Sequence, residues 1–325
     1  MEATLSTGGE RVAIRCAVPW VAERIREGAD GCLDAGAAAD PTARILVDET
    51  RDPFETQGWM RLSRDAWCRE RHVVVEDVGT SGFDMHLWWE GQVPDVVFRW
   101  RPPRRTRAAS LLLRKRARLL VRAVLLQYPV LWIASTRGRA PIHAPAVSAG
   151  NHGPAVLLGP SGVGKTTIVE REIAAGGLAV GDNLSVGDGR SVWGVVEPMR
   201  TAQGSGRPAT HGRRETHLDH RVPSLEPRLL IVLGRGAKRR VEACRPEVAA
   251  RALVASTYAA GELRRYWPLH ALLALGTGLG PPHPPVSEVA GTFASRLRCL
   301  TVELPAAPEV GLARILADEG AAAWT

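Results

Sequence analysis

Eight residues carry the plainest chemistry in the chain. Gly-Pro-Ser-Gly-Val-Gly-Lys-Thr at 159–166 fits the spacing Gly-x-x-x-x-Gly-Lys-[Ser/Thr], the pattern of a phosphate-binding loop. Gly159, Gly162 and Gly164 have no Cβ, so the backbone can take positive φ and turn several N–H groups inward as an anion nest. The N-terminus of the next helix adds its partial positive charge. Ser161, Val163 and Thr167 complete the set expected around the phosphates. Lys165 is expected to reach the β- and γ-phosphates of ATP, and Thr166 to ligate Mg2+. Lys165 also stands out by type, because the other lysines are Lys115 and Lys238 in a chain whose positive charge is nearly all arginine.

Mg2+ and a phosphoryl acceptor both call for a carboxylate at the end of a neighbouring strand. The apolar run 229–233 is the ordinary place, but it ends in Gly234-Arg235-Gly236 with no acid. Asp182 supplies one instead. It closes the apolar run 178–181, which begins as soon as the helix after the loop has returned, so its carboxylate should emerge near the γ-phosphate. Glu197 is a second candidate metal ligand. Arg200, Arg207, Arg213 and Arg214 sit in a glycine-rich segment at 200–220 together with His211, Glu215, His217 and Asp219. Such arginines can fold over a transferring phosphoryl group or clamp an anionic acceptor.

These residues resemble the HPr kinase/phosphorylase superfamily and its relatives in peptide and natural-product gene clusters. In that family a histidine precedes a β-hairpin, followed by the phosphate loop, a helix and a pair of acids 17 and 18 residues after the lysine. The corresponding elements are His143, the hairpin through Gly153, the loop at 159–166, and Asp182 with Asn183. The resemblance covers about residues 129–190. It implies a PEP-carboxykinase-like P-loop kinase domain, with Asp182 as the general base that draws a proton from an acceptor hydroxyl and His143 orienting it. Asn183 stands where the second acid would be, so a reverse, phosphorylase reaction is expected to be weak or absent. Members are often hexameric or dimeric, which makes a homo-oligomer an expectation here.

The elements that position these groups follow from periodicity and punctuation. An apolar strand at 155–158 should feed the loop, and a helix at 166–175 should follow it, closed by Gly176-Gly177. Strands are expected at 130–134, 141–148, 178–181, 184–186, 192–195, 229–233 and 299–302. Before residue 100 a helix at 18–28 precedes short strands at 44–47, 72–75, 85–89 and 96–100, in an antiparallel order. Arg101-Pro102-Pro103-Arg104 breaks the pattern. The expected organisation is α/β: a smaller α+β N-terminal domain at 1–105 and a mixed-sheet nucleotide domain at 106–325.

Residues 106–127 read as a basic amphipathic helix. Contact with nucleic acid or a membrane surface is one reading; a helix lying on a sheet with its arginines reaching water is the one favoured. With 325 residues, 45% apolar and 23% charged, the chain can bury a substantial core. The strongest apolar stretch, 267–279, is too short to span a membrane, and the first residues lack a secretory pattern, so the expected compartment is the cytoplasm. Cys16, Cys32, Cys68, Cys244 and Cys299 have neither disulfide nor zinc spacing. The net charge of +8 raises nucleic acid as a partner, but aromatic and basic residues do not interleave as single-strand binding needs. An ABC-type Leu-Ser-Gly-Gly-Gln signature and a guanine-reading Asn-Lys-x-Asp are both missing from the sequence. A kinase with a peptide or small-molecule hydroxyl acceptor is therefore expected first, and a nucleotide-hydrolysing regulatory or assembly protein second.

Overall fold

The computed structural model describes residues 1–36, 38–201, 206–305 and 310–318. The chain is mixed α/β and forms two compact units of nearly equal length, Met1–Gly138 with Gly261–Pro284, and Arg139–Ala260 with Pro285–Thr325. The break expected after residue 105 thus falls inside the first unit. The reason is non-local. The helix Tyr266–Thr277 packs on strands Ala66–Arg69 and His72–Val75, so a late segment completes an early sheet.

Among the described residues the first unit is built on nine strands, with Leu33–Ala35 at one edge and Met60–Ser63 at the other. Glu2–Thr7 and Glu10–Cys16 form a hairpin about Gly8 and Gly9, whose φ of +59° and +76° suit a two-residue turn. Glu10–Cys16 pairs in parallel with Ala43–Asp48, and that strand in parallel with Asp95–Trp100. The sheet then continues antiparallel through Phe83–Trp88, His72–Val75, Ala66–Arg69 and Met60–Ser63. It is mixed where the sequence suggested an antiparallel order. Burial alternates as a one-sided sheet requires: Val12, Ile14 and Cys16 are buried, whereas Arg11 and Arg15 are exposed.

The basic helix expected over 106–127 is instead a series of segments. Arg104–Leu112 and Arg114–Arg122 meet at a bend on Leu113 (φ −111°, ψ 52°), and a wider π turn, Ala123–Gln127, leads into the helix Tyr128–Thr136. The strand expected at 130–134 is therefore helical. Residues 128–135 are all buried, and an apolar run buried on every side has no periodicity to separate helix from strand. Pro129 has no N–H to donate, and the wider turn just before it absorbs the lost bond. Arg114–Thr136 is long and apolar enough to cross a bilayer by length and composition, and 78% of its most apolar window is buried inside the protein.

The second unit centres on five strands in the spatial order Ala146–Val147, Ala155–Leu158, Leu229–Arg235, Arg298–Leu304 and Arg240–Ala243. The middle three are parallel and the outer two run antiparallel to their neighbours. Ala155–Leu158 is buried throughout. Leu157, Val163, Ile168, Ile231, Leu233 and Val302 share one core, so the helix Lys165–Ala174 is packed on the sheet that its own loop leaves. A four-stranded sheet links Ala140–Ile142, Ser185–Gly187, Val192–Gly194 and Ser224–Leu225. The strand expected at 178–181 is an extended segment with single bridges from Ala179 to Val147 and Arg221. The loop expected at 200–220 contains a three-stranded sheet of Met199–Thr201, Arg214–Thr216 and Arg207–Pro208. Within that loop, 202–205 and the side chain of His211 lie outside the described residues.

Candidate active site

The glycine-rich loop 159–166 is shaped by its glycines and by the strand beside it. Gly159 has φ +136°, and a Cβ there would lie 2.7 Å from the carbonyl oxygen of Leu233, so both conformation and space require glycine. Gly162 and Gly164 have φ +81° and +119°. Gly164 opens the helix Lys165–Ala174, whose first turn has neither a side-chain cap nor an acid; its amides keep their attraction for an anion. Val163 anchors the loop in the core at 2% exposure. Ser161 and Gly162 are exposed and Thr167 is half-buried.

Lys165 is buried, and its Nζ donates to the carbonyl oxygens of Gly159 at 2.6 Å and Pro160 at 3.3 Å. The ammonium is thus held at the loop by weak carbonyl acceptors, which phosphate oxygens can replace with charge-assisted bonds. Arg235, which sequence reading passed over, donates from Nη2 to the Gly162 carbonyl oxygen at 3.0 Å. The parallel register Leu158↔Val232 carries the end of strand Leu229–Arg235 past the loop. The signal in the sequence is the arginine of Gly234-Arg235-Gly236.

Asp182 meets this loop from the far side. Its Oδ2 accepts from the Thr166 hydroxyl at 3.3 Å and from the Arg200 backbone N–H at 3.2 Å. Its Oδ1 is buried with no hydrogen-bond partner. Burial first, and the negative charge of Glu197 second, push its carboxyl up to about 6, against the opposing pull of Arg200 and the hydrogen bonds to it. Glu197 is buried too. One carboxylate oxygen accepts from Leu184 N–H at 3.2 Å, and the other lies 3.5 Å from Arg200 Nη2. Arg221 Nη2 donates to the Glu197 carbonyl oxygen at 2.6 Å. The two acids and Arg200 therefore form one electrostatic group behind Thr166.

His143 reaches the group through Asn183. Its Nε2 lies 2.6 Å from Asn183 Oδ1, a hydrogen bond in the tautomer that carries its proton on Nε2. The backbone N–H of His143 donates to buried Thr257 Oγ1 at 3.1 Å, which ties the histidine to the helix Pro246–Ala259. Asn183 Nδ2 and Ser185 Oγ, like Asp182 Oδ1, are buried without partners. Three unsatisfied polar atoms within four residues are more than a packed interior ordinarily tolerates. Of the other arginines named in the loop, Arg207 and Arg214 are exposed and Arg213 is half-buried. Arg214 Nη1 donates to Gly206 O at 2.9 Å.

This donor set suits a magnesium-bound nucleotide. Among the described residues no three His, Cys, Asp or Glu side chains cluster as a protein-only metal cage. Mg2+ at phosphates needs no such cage, because it takes most of its ligands from phosphate and water. The Thr166 hydroxyl and the unsatisfied Asp182 Oδ1 are the oxygens the chain offers it. Compared with known proteins, the chain matches no family model and no curated protein.

Proposed function

We propose that the chain is an ATP-dependent kinase that moves the γ-phosphoryl group onto a hydroxyl, of a peptide Ser or Thr or of a small natural-product metabolite. One observation carries this reading: Asp182, buried and with one oxygen unpartnered, accepts from the hydroxyl of Thr166 at the end of the glycine-rich loop. In its charged form Asp182 takes the acceptor's proton as the acceptor oxygen bonds to the γ-phosphorus and the bond to the β–γ bridging oxygen breaks, leaving ADP. Lys165 exchanges its loop carbonyls for phosphate oxygens, and Arg200 balances charge beside the two acids. His143 holds the Asn183 amide next to the base. Mg2+, when bound at Thr166 and Asp182 with Glu197 behind them, neutralises charge on the transferring group.

The likeness to HPr kinase/phosphorylase, its PEP-carboxykinase-like fold and homo-oligomeric state, and a cytoplasmic site of action where ATP is plentiful, belong to the same proposal. The parallel strand, glycine loop and helix in series support it. The test is transfer of label from γ-labelled ATP into a panel of peptides and hydroxylated metabolites, with Asp182→Asn alongside. Label should enter an acceptor with the wild-type chain and fail to do so with the variant. ADP release that proceeds equally without any acceptor would establish the hydrolysing regulator instead, and no calorimetric affinity for ATP with Mg2+ would end both readings.

A further inference from the structure

From Val96 to Val169 the chain carries no Asp or Glu at all. The two helices Arg104–Leu112 and Arg114–Arg122 lie in this stretch, and residues 103–105, 107–109 and 111–116 are exposed. The bend between the helices presents three consecutive leucines to solvent: Leu111 is 65% exposed, Leu112 83% and Leu113 50%. Flanking them in the sequence are Arg104, Arg105, Arg107, Arg114, Lys115 and Arg116, all exposed. The base of the first helix is fixed, since the Thr106 hydroxyl donates to Asp77 Oδ2 at 3.0 Å and Arg107 stacks over the Trp100 ring.

We propose that this bend docks on an anionic lipid surface, the leucines entering the boundary between headgroups and acyl chains while the six cations meet lipid phosphates. The two halves of the patch select this partner. Basic residues without acids complement any polyanion, but three adjacent exposed leucines have no counterpart in a nucleic-acid backbone. Apolar side chains ringed by arginine and lysine are what an interfacial segment needs. The proposal is independent of the phosphate-loop reading. A kinase held this way would act at a membrane face without crossing it.

The experiment is flotation of the full chain with vesicles of phosphatidylcholine alone or mixed with phosphatidylserine, with and without added salt. Two variants accompany it, Leu111→Ser/Leu112→Ser/Leu113→Ser and Arg114→Gln/Lys115→Gln/Arg116→Gln. Both change exposed side chains, and unchanged circular dichroism and melting temperature verify that they fold. The expected result is salt-sensitive binding to the mixed vesicles only, weakened at least about tenfold by either triple change. No flotation with the mixed vesicles overturns the proposal. So does equal flotation with neutral vesicles, which would point to the long apolar helix, or a serine variant that floats as the wild type does. Tighter binding to duplex DNA than to the mixed vesicles, indifferent to the leucines, would replace lipid with nucleic acid.

Discussion

The Thr166 hydroxyl donates to Asp182 Oδ2 across 3.3 Å, bringing together the last residue of the glycine-rich loop and an acid sixteen positions later. The helix Lys165–Ala174 runs out and the chain returns through an extended segment bonded to both sides of it, Val180 N–H to Ala146 O and Val222 N–H to Ala179 O. Asp182 is thereby placed by backbone, and its partners on Oδ2 survive replacement by an amide. Asp182→Asn should keep affinity for ATP within a few-fold while transfer falls by ~10²-fold or more, the usual share of a general base. Lys165→Ala should instead lose nucleotide binding. Calorimetry paired with transfer assays separates the two, and full transfer by Asp182→Asn would remove the acid from the chemistry.

A second expectation concerns pH. In the proposed transfer Asp182 is the base, and with its carboxyl pushed up to about 6 by burial it is inactive when protonated, so kcat/KM for the nucleotide should climb as pH rises through that value and then level. Glu197 raises Asp182 by like charge. Glu197→Gln keeps an oxygen for Leu184 N–H but removes that charge, so the rise should move to lower pH. An unmoved midpoint in the Gln variant would show that the titrating group is elsewhere.

The same titration bears on stability. Asp182 goes from an ordinary 3.8 to about 6 on folding, so between those values the folded protein holds the extra proton. Its contribution is fully present below about pH 4 and is lost as pH rises through 6, a swing of at most about 3 kcal/mol. The amide introduced by Asp182→Asn does not titrate, and whatever it costs is the same at every pH. In nucleotide-free protein the melting temperature of Asp182→Asn relative to wild type should therefore rise by several degrees between pH 4.5 and 7.5. A gap constant across that range would refute the buried acid's role.

How much of this was readable beforehand follows from which contacts are local. The strand, loop and helix around Gly159 are contiguous, and each residue's type reports its own backbone need, so the loop was legible. Asp182 was legible from its spacing to Lys165. Arg235 was not, because its reach to Gly162 depends on the register between two strands more than seventy residues apart. The helix Tyr128–Thr136 was misread because burial on all sides erases periodicity. The Gly8-Gly9 pair is a local hairpin signal, since both glycines take positive φ between paired strands. The return of Gly261–Pro284 to the first unit leaves no trace in composition.

Arg235 offers a clean test of the loop's support. It is exposed, so Arg235→Ala should leave the fold intact, yet it removes the donor that holds the Gly162 carbonyl at 3.0 Å. A hydrogen bond from a charged donor is worth about 1.5–3 kcal/mol at most, less when exposed, so nucleotide affinity should weaken several-fold. If transfer at saturating ATP fell while affinity held, Arg235 would belong to the chemistry and not to the loop's shape.

The strongest constraint outside the loop is Gly194, in strand Val192–Gly194. A Cβ on Gly194 would fall 1.9 Å from the carbonyl oxygen of Val180, two residues before Asp182, the proposed base. Backbone cannot yield to that overlap without moving, and the Val195 N–H bond to Leu184 O closes the other end of the same turn. Gly194→Ala should therefore displace Asp182 from Thr166 and lower stability by about 1–3 kcal/mol, as overpacking does. Because a misplacement of about 1 Å can cost ~10²-fold in rate, transfer should suffer more than the melting temperature suggests. Nucleotide binding through Gly159 to Thr166 should fall far less. Measured together, near-normal ATP affinity with lost transfer would trace the defect to the Val180–Asp182 segment; normal transfer in a folded Gly194→Ala chain would mean that this close approach does not position the base.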